Sequence, residues 1–163
     1  MHIEHATINI HLASGIEGVL LNTDSAAKVS AGACTPPAIG GIWPGQGGIY
    51  AGLSRGRDGQ ADGHLILHVT EAPSKLNLAD AQKWAEGIEV EGHTDFHVAT
   101  NVESALLYAN LKDLFDPAGW YWTSTQYAGN EGYAWLQYFG YGYQNGLDKS
   151  YAGRVRAVRR FAA

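Results

Sequence analysis

The hydrophobic period changes several times along this chain, and each change marks an element. Residues 5–12, HATINIHL, alternate, with Ala6, Ile8, Ile10 and Leu12 on one face, which predicts a half-buried strand. Val19 to Leu21 reads as a second short strand after Gly15 and Gly18. Thr35-Pro36-Pro37 continues neither strand nor helix, because two prolines remove two donors and fix φ. A boundary is therefore expected near residues 33–40. Residues 1–40 read as a strand-rich appendage for attachment or oligomerisation, or as extra strands of the main sheet, and residues 41–163 as the main domain.

In that domain Gly47 and Gly48 feed a short strand, 49–53, and HLILHV at 64–69 is its return partner. Asp58-Gly59 marks the turn of a polar hairpin tip between them. Asn77 is expected to cap a helix with Asp80 in its first turn and with Leu78, Ala81, Ala85 and Ile88 on one stripe. Thr100 and Glu103 form a capping-box pattern, TNVE, opening a second helix that runs to about Phe115. It buries either Val102, Leu106, Ala109 and Leu114 or the adjacent Leu107 and Leu111. Pro117 and Gly119 stop it. A last strand covers residues 154–161, where Val155 and Ala157 alternate with Arg154 and Arg156 before Val158 shifts the phase. Two helices between strands, and a long Gly-rich region before the final strand, predict an α+β fold.

Residues 121–161 alternate two kinds of sequence. Trp122, Trp135, Phe139, Val155 and Val158 read as core anchors. Between them Leu136, Tyr138, Gly140, Tyr141, Tyr143, Gly146, Leu147, Ser150 and Tyr151 keep no amphipathic period. Tyr supplies large rigid contact area with a polar tip and Gly supplies adaptable backbone, the composition of a binding surface more than of an active site.

Composition narrows the function classes. The chain has 163 residues, 45% of them hydrophobic, enough for one core. A net charge of -5 argues against general nucleic-acid affinity, and the cluster Arg154, Arg156, Arg159 and Arg160 is too short to reverse that. The single Cys34 excludes an intramolecular disulfide. The N-terminus shows no signal-peptide pattern and no apolar run approaches a membrane span, so synthesis in the cytoplasm without membrane insertion is expected.

Candidate chemistry is thin. His64 and His68 lie four apart in a strand, about 13 Å, too far to share a zinc. His93 and His97 have the same spacing, with Gly92 arguing for a loop. Asp58 and Asp62 superficially suggest a calcium loop but lack EF-hand spacing and an acidic twelfth ligand. Thr123-Ser124-Thr125 lacks a nucleophile elbow and is expected to bond backbone in a loop. Trp84, Trp122 and Trp135 are expected in the core, with Trp120, beside Gly119, at the surface. Arg154 and Arg156 are expected to pair with acids such as Asp95 or Glu103. No catalytic residue, metal or cofactor is assigned.

FHVATNVESALLYANL, then YWTST, AW-x-Q-x-F-x-x-G and RVRAVRRF, together resemble the formylglycine-generating-enzyme-like branch of the C-type lectin fold. More closely, they resemble the variable proteins of diversity-generating retroelements and the major tropism determinant of phage tails. The likeness covers roughly residues 42–161 and implies a C-type lectin-like domain with two helices, short antiparallel strands and a long Gly/Tyr-rich display loop region. It implies a scaffold that includes Trp122, Ala134, Trp135, Gln137, Phe139, Gly142, Gln144, Arg154, Val155, Arg156, Val158, Arg159 and Phe161. The displayed, ligand-binding positions would be Leu136, Tyr138, Gly140, Tyr141, Tyr143, Gly146, Leu147, Asp148, Ser150 and Tyr151. Each of these is reachable from an Asn codon by changing adenines alone. Asn145 stands unchanged among them, and residues 127–133 do not align. The copper-bound cysteines of the enzymes have no counterpart here, so the resemblance implies a non-enzyme. It would bind a bacterial surface protein or glycan, attach to a phage tail or baseplate protein through residues 1–40, form a homotrimer and reside in the virion. The alternative is a structural tail or baseplate protein whose aromatic loop packs against a partner subunit.

Overall fold

The computed structural model describes residues 35–163. The strands expected within residues 5–21, Cys34, and most of the attachment segment lie outside the described residues. The elements are β1 (Ile42–Trp43), β2 (Gly48–Ser54), β3 (Gly63–Glu71), α1 (Leu78–Glu86), β4 (His97–Val98), α2 (Asn101–Leu111), a 3-10 turn (Lys112–Leu114), β5 (Trp120–Gln126), β6 (Tyr133–Tyr138), β7 (Gln144–Asp148) and β8 (Arg156–Ala162). The fold is α+β, with a five-stranded antiparallel sheet in the order β1-β2-β3-β8-β4 and a three-stranded antiparallel sheet, β5-β6-β7.

Local chemistry accounts for most boundaries. The turn joining β2 and β3 centres on Asp58 and Gly59, at φ 53° and 83°, closed by Gln60 N–H donating to the Arg57 carbonyl at 3.0 Å. Two consecutive left-handed residues are what Asp-Gly supplies at a tight hairpin end. Asp62 accepts from Gly56 N–H at 2.8 Å, which ties one arm of the hairpin to the other. The Asn77 side chain accepts from Asp80 N–H at 2.9 Å at the start of α1. The capping box of α2 is formed, with Thr100 accepting from Glu103 N–H and Glu103 accepting from Thr100 N–H. Of the two stripes open to α2, Leu107 and Leu111 are buried, while Ala109 and Leu114 are exposed and Val102 and Leu106 only half-buried. The α-helix ends at Leu111, four residues before Phe115, because the last turn tightens to 3-10 geometry.

Two core clusters flank β8. Leu78, Ala81 and Ala85 of α1 pack with Trp122, Ala134, Leu136, Val155 and Ala157. Leu107 and Leu111 of α2 pack with Leu65, Leu67, Phe115, Tyr121, Phe139 and Val158. β8 is thus buried on both faces, and its pairing with β3 runs without a slip from Val158 to Ala162. The phase shift expected at Val158 is absent: Val158 follows Arg156 on the α2 side. The domain's first strand pairs with β2 at the sheet edge, and it is β3 and β4 that flank the last strand.

Arg154 pairs with carboxylates as expected, though with others than Asp95 or Glu103, and Arg156 corrects the expectation of an acidic partner. Arg154 bonds Glu71 at 2.6 Å and also Asp116. Arg156 is buried, donates to the Leu114 and His68 carbonyls at 2.7 and 2.8 Å, and lies over the Phe115 ring at 5.1 Å. Its Nε finds no oxygen partner, and the ring supplies a cation–π contact instead. Neither meets Asp95 or Glu103, because those acids are already engaged. Asp95 holds Arg159 at 2.5 Å, and Glu103 holds His97 at 3.3 Å as well as the α2 cap.

Candidate functional site

The region expected as a long irregular loop is mostly a hairpin. Tyr133 pairs with Asp148, Trp135 with Gly146 and Gln137 with Gln144, because Tyr, Trp and Leu favour a pleated, half-buried surface. Between β6 and β7 residues 139–143 remain as a loop, with further turns before β6 and after β7. The 139–143 loop is closed by Tyr138 N–H donating to the Tyr143 carbonyl at 2.7 Å and by Gly142 N–H donating to the Tyr138 carbonyl at 3.0 Å. Gly142 sits at φ 77°, and a Cβ there would meet the Tyr108 ring at 2.7 Å, so this position demands glycine.

The loop is pinned from beneath. Phe139 is buried and stacks on Phe115, centroids 3.8 Å apart and planes 5° apart, with Tyr121 edge-on at 5.1 Å. The buried Gln137 amide donates to the Tyr138 and Tyr143 carbonyls at 3.2 and 3.3 Å. Its oxygen accepts from Gln144 at 2.9 Å, and Gln144 also donates to the Asn101 carbonyl at 2.7 Å. The loop backbone is therefore tied through two glutamines to the start of α2.

Above this support lies a run of aromatic rings. Trp120 and Tyr138 have centroids 5.1 Å apart, Tyr138 and Tyr141 6.0 Å, and Tyr141 and Tyr143 6.0 Å. Tyr141 and Tyr143 are 72% and 64% exposed, the most exposed of the large hydrophobic side chains among the described residues. Tyr151 stands apart from this run, against Trp122 at 6.4 Å.

The ten expected display positions divide. Tyr138, Tyr141 and Tyr143 come together. Asp148, Ser150 and Tyr151 are exposed on the following turn, where the Asp148 carboxylate accepts from Ser150 N–H and Oγ–H at 2.8 and 2.6 Å. Those bonds hold Asp148 below the usual carboxylate range. Leu136 is 0% exposed and belongs to the core, so its place in the display set is corrected. Alternation along β6 sends Ala134 and Leu136 inward and leaves Tyr133 and Trp135 half-buried on the other face. Leu147 is half-buried against the same core. A Cβ at Gly140 would lie 2.4 Å from the Pro117 carbonyl oxygen, and one at Gly146 2.4 Å from the Tyr127 ring. Neither glycine can carry a side chain without movement.

The same alternation shows what sequence reasoning missed. Trp135, read as a core anchor, makes an edge contact with Tyr127 at 4.8 Å, and Tyr133 lies 6.4 Å from Tyr127. Odd-numbered aromatics at 133 and 135, opposite Ala134 and Leu136, were the available signal. Trp120 is half-buried rather than free, because Tyr138 covers it.

Several titratable groups are engaged structurally. Tyr121 Oη–H donates to Glu71 and accepts from Asp116 N–H, each at 3.0 Å, and burial, with Glu71 beside it, pushes its pKa up to about 12. His64 packs between Trp43 and Phe161 and lies 3.1 Å from Tyr50 Oη. His68 Nδ1 meets Thr70, and His93 Nε2 meets the Gly45 carbonyl at 2.9 Å. Burial opposes charge on both members of the His97–Glu103 pair. Their mutual hydrogen bond and attraction prevail, raising His97 and lowering Glu103, with Asp95 and Thr100 adding to the effect. Thr123 Oγ1 donates to the Trp135 carbonyl at 2.7 Å, so the Thr-Ser-Thr run lies within β5 rather than in a loop. Among the described residues no group of three or more His, Cys, Asp or Glu is placed to hold a metal. No helix among them is long and apolar enough to cross a membrane. No family model matches the chain, and no curated protein matches it.

Proposed function

We propose that this protein is a non-enzymatic ligand-display protein. It binds a host-cell surface receptor, protein or glycan, through the aromatic surface of Trp120, Tyr138, Tyr141 and Tyr143, and it is carried as a homotrimer at a phage or prophage tail tip. The observation that carries the binding reading is the contiguous run of tyrosines, half-buried at Tyr138 and exposed at Tyr141 and Tyr143, on a backbone fixed from below. Rigid aromatic anchors lose little entropy on binding and dominate the energy of such surfaces. The tail setting and the trimer rest on the resemblance of the C-terminal motifs alone. Repeating the surface in an oligomer would raise effective concentration and compensate for a weak single site.

The test is binding of the purified protein to whole bacteria of a panel of candidate host strains, beside a Tyr138→Ala, Tyr141→Ala, Tyr143→Ala triple variant. Strain-selective binding that vanishes in a variant of unchanged circular dichroism supports the proposal. Equal binding by both proteins, or assembly with a tail protein but no cell binding, refutes it; the latter result favours the structural tail protein.

A further inference from the structure

Six arginines lie among the described residues, and they divide by partner. Arg154 and Arg159 pair with carboxylates, and Arg156 is buried on carbonyl oxygens. The other three, Arg55, Arg57 and Arg160, line one cleft of about 280 Å³, between the hairpin tip joining β2 and β3 and the start of α2, with Ser54, Asn101 and Thr125 on its walls. The Arg57 guanidinium makes no hydrogen bond or ion pair among the described residues, its backbone carbonyl alone accepting from Gln60 N–H. Arg55 is 85% exposed and reaches Asp62 only at 3.5 Å. Arg160 donates to the Ala61 and Ser54 carbonyls at 2.5 and 3.4 Å, which orient the guanidinium without neutralising it. In a chain of net charge -5, three guanidiniums converging on one concavity with a single exposed carboxylate partner, Asp62, are the exception.

We propose that this cleft binds a phosphate- or sulfate-type oxyanion borne on a larger ligand. Guanidinium forks match the oxygen spacing of such groups and bond them with charge assistance. The amides of Thr100, Asn101 and Glu103 are already taken by Glu103, Thr125 Oγ1 and Thr100 Oγ1. The one carboxylate in the wall, Glu103, is committed to His97 and Thr100. Thr125, at the cleft, and Trp120, at the aromatic run, lie five residues apart on β5. That separation is roughly 16 Å at strand rise, which makes the cleft a second site. The inference does not rest on the receptor-binding reading.

The experiment is calorimetric titration of the full chain with inorganic phosphate, inorganic sulfate and glucose 6-phosphate at constant ionic strength in chloride, with glucose as the uncharged control. Amide shifts at Ser54 and Asn101 locate the site. Saturable binding of at least one anion, not of glucose, is expected, and the preferred anion distinguishes phosphate from sulfate esters. Arg57→Gln, which breaks no side-chain hydrogen bond or ion pair, should weaken it at least about tenfold, the loss of one charge-assisted bond, with an unchanged melting temperature. Arg160→Gln should weaken it as well. The proposal is overturned if no anion saturates, if Arg57→Gln binds as tightly as the parent, or if glucose binds equally.

Discussion

Leu136 and Tyr141 share one hairpin and were grouped together as display positions, yet the structure assigns them opposite roles. Leu136 is 0% exposed, and a Cβ built on Gly153 would stand 3.2 Å from its Cδ2. Trp122, Ala134 and Val155 belong to the same cluster. Leu136→Ala removes three carbons, a transfer loss of about 2.4 kcal/mol at 0.8 kcal/mol per methylene. A cavity term adds to this wherever the surroundings cannot collapse. The Trp122 indole N–H is tied to the Leu76 carbonyl at 2.8 Å, which resists such collapse. A total near 3 kcal/mol is expected, within the range for buried Leu→Ala. For a chain of this length it lowers Tm by roughly 6–12 °C. Tyr141→Ala, at a side chain 72% exposed, should stay within about 0.5 kcal/mol, or roughly 2 °C. Thermal and urea unfolding of both variants beside the parent measure this. A Leu136→Ala protein that melts within 2 °C of the parent, or a Tyr141→Ala protein that falls as far as Leu136→Ala, would refute the burial assignment and with it the register of β6.

Two further outcomes follow from the geometry. Gly142→Ala combines a left-handed φ of 77° with a Tyr108 ring 2.7 Å from the new methyl. It should cost about 1–2 kcal/mol from the backbone alone, with more for the displaced ring; an unchanged urea midpoint would contradict the loop conformation. For His97 and Glu103 the signs run oppositely. The raised His97 contributes stability that is complete below its unfolded value, roughly 6.5, and is lost as pH rises through its folded value. The lowered Glu103 contributes stability present above roughly 4.3 and lost as pH falls through its folded value. The stability difference between the parent and His97→Gln should therefore shrink as pH rises from 6 to 8, and a difference constant across that interval would show that the ion pair carries no linkage.

Legibility tracked how local each cause was. Asp58-Gly59, Asn77 and the Thr100–Glu103 box act within a few residues, so the hairpin tip and both helix starts could be read directly. Which apolar stripe of α2 is buried depends on where β2 and β5 lie, and the sequence left both options open. β8 misled because a strand covered on both faces shows no alternation to phase. The partners of Arg154 and Arg156 were unreadable for a similar reason: Glu71 and Asp116 lie 83 and 38 residues away from Arg154, and nothing local points to them. In the candidate site, the composition of residues 138–151 located the exposed tyrosines, but motif matching cannot tell which side of a strand a residue takes. That one-residue phase moved Leu136 inward and Trp135 outward. Gly140 and Gly146 looked like flexible fillers, whereas their bareness accommodates Pro117 and Tyr127.

The stacked Phe115–Phe139 pair has a consequence for how this surface can change over generations. Phe139 sits between Tyr138 and Tyr141, so the residue that anchors the loop is interleaved with those that face outward. In the proposed display role, heritable variation at positions 138, 141 and 143 would alter what the surface can grip while the anchor keeps the same backbone presented. Variation at 139 alters the presentation of all three at once. In that role recognition and architecture would be inherited as nearly separate traits, encoded a codon or two apart.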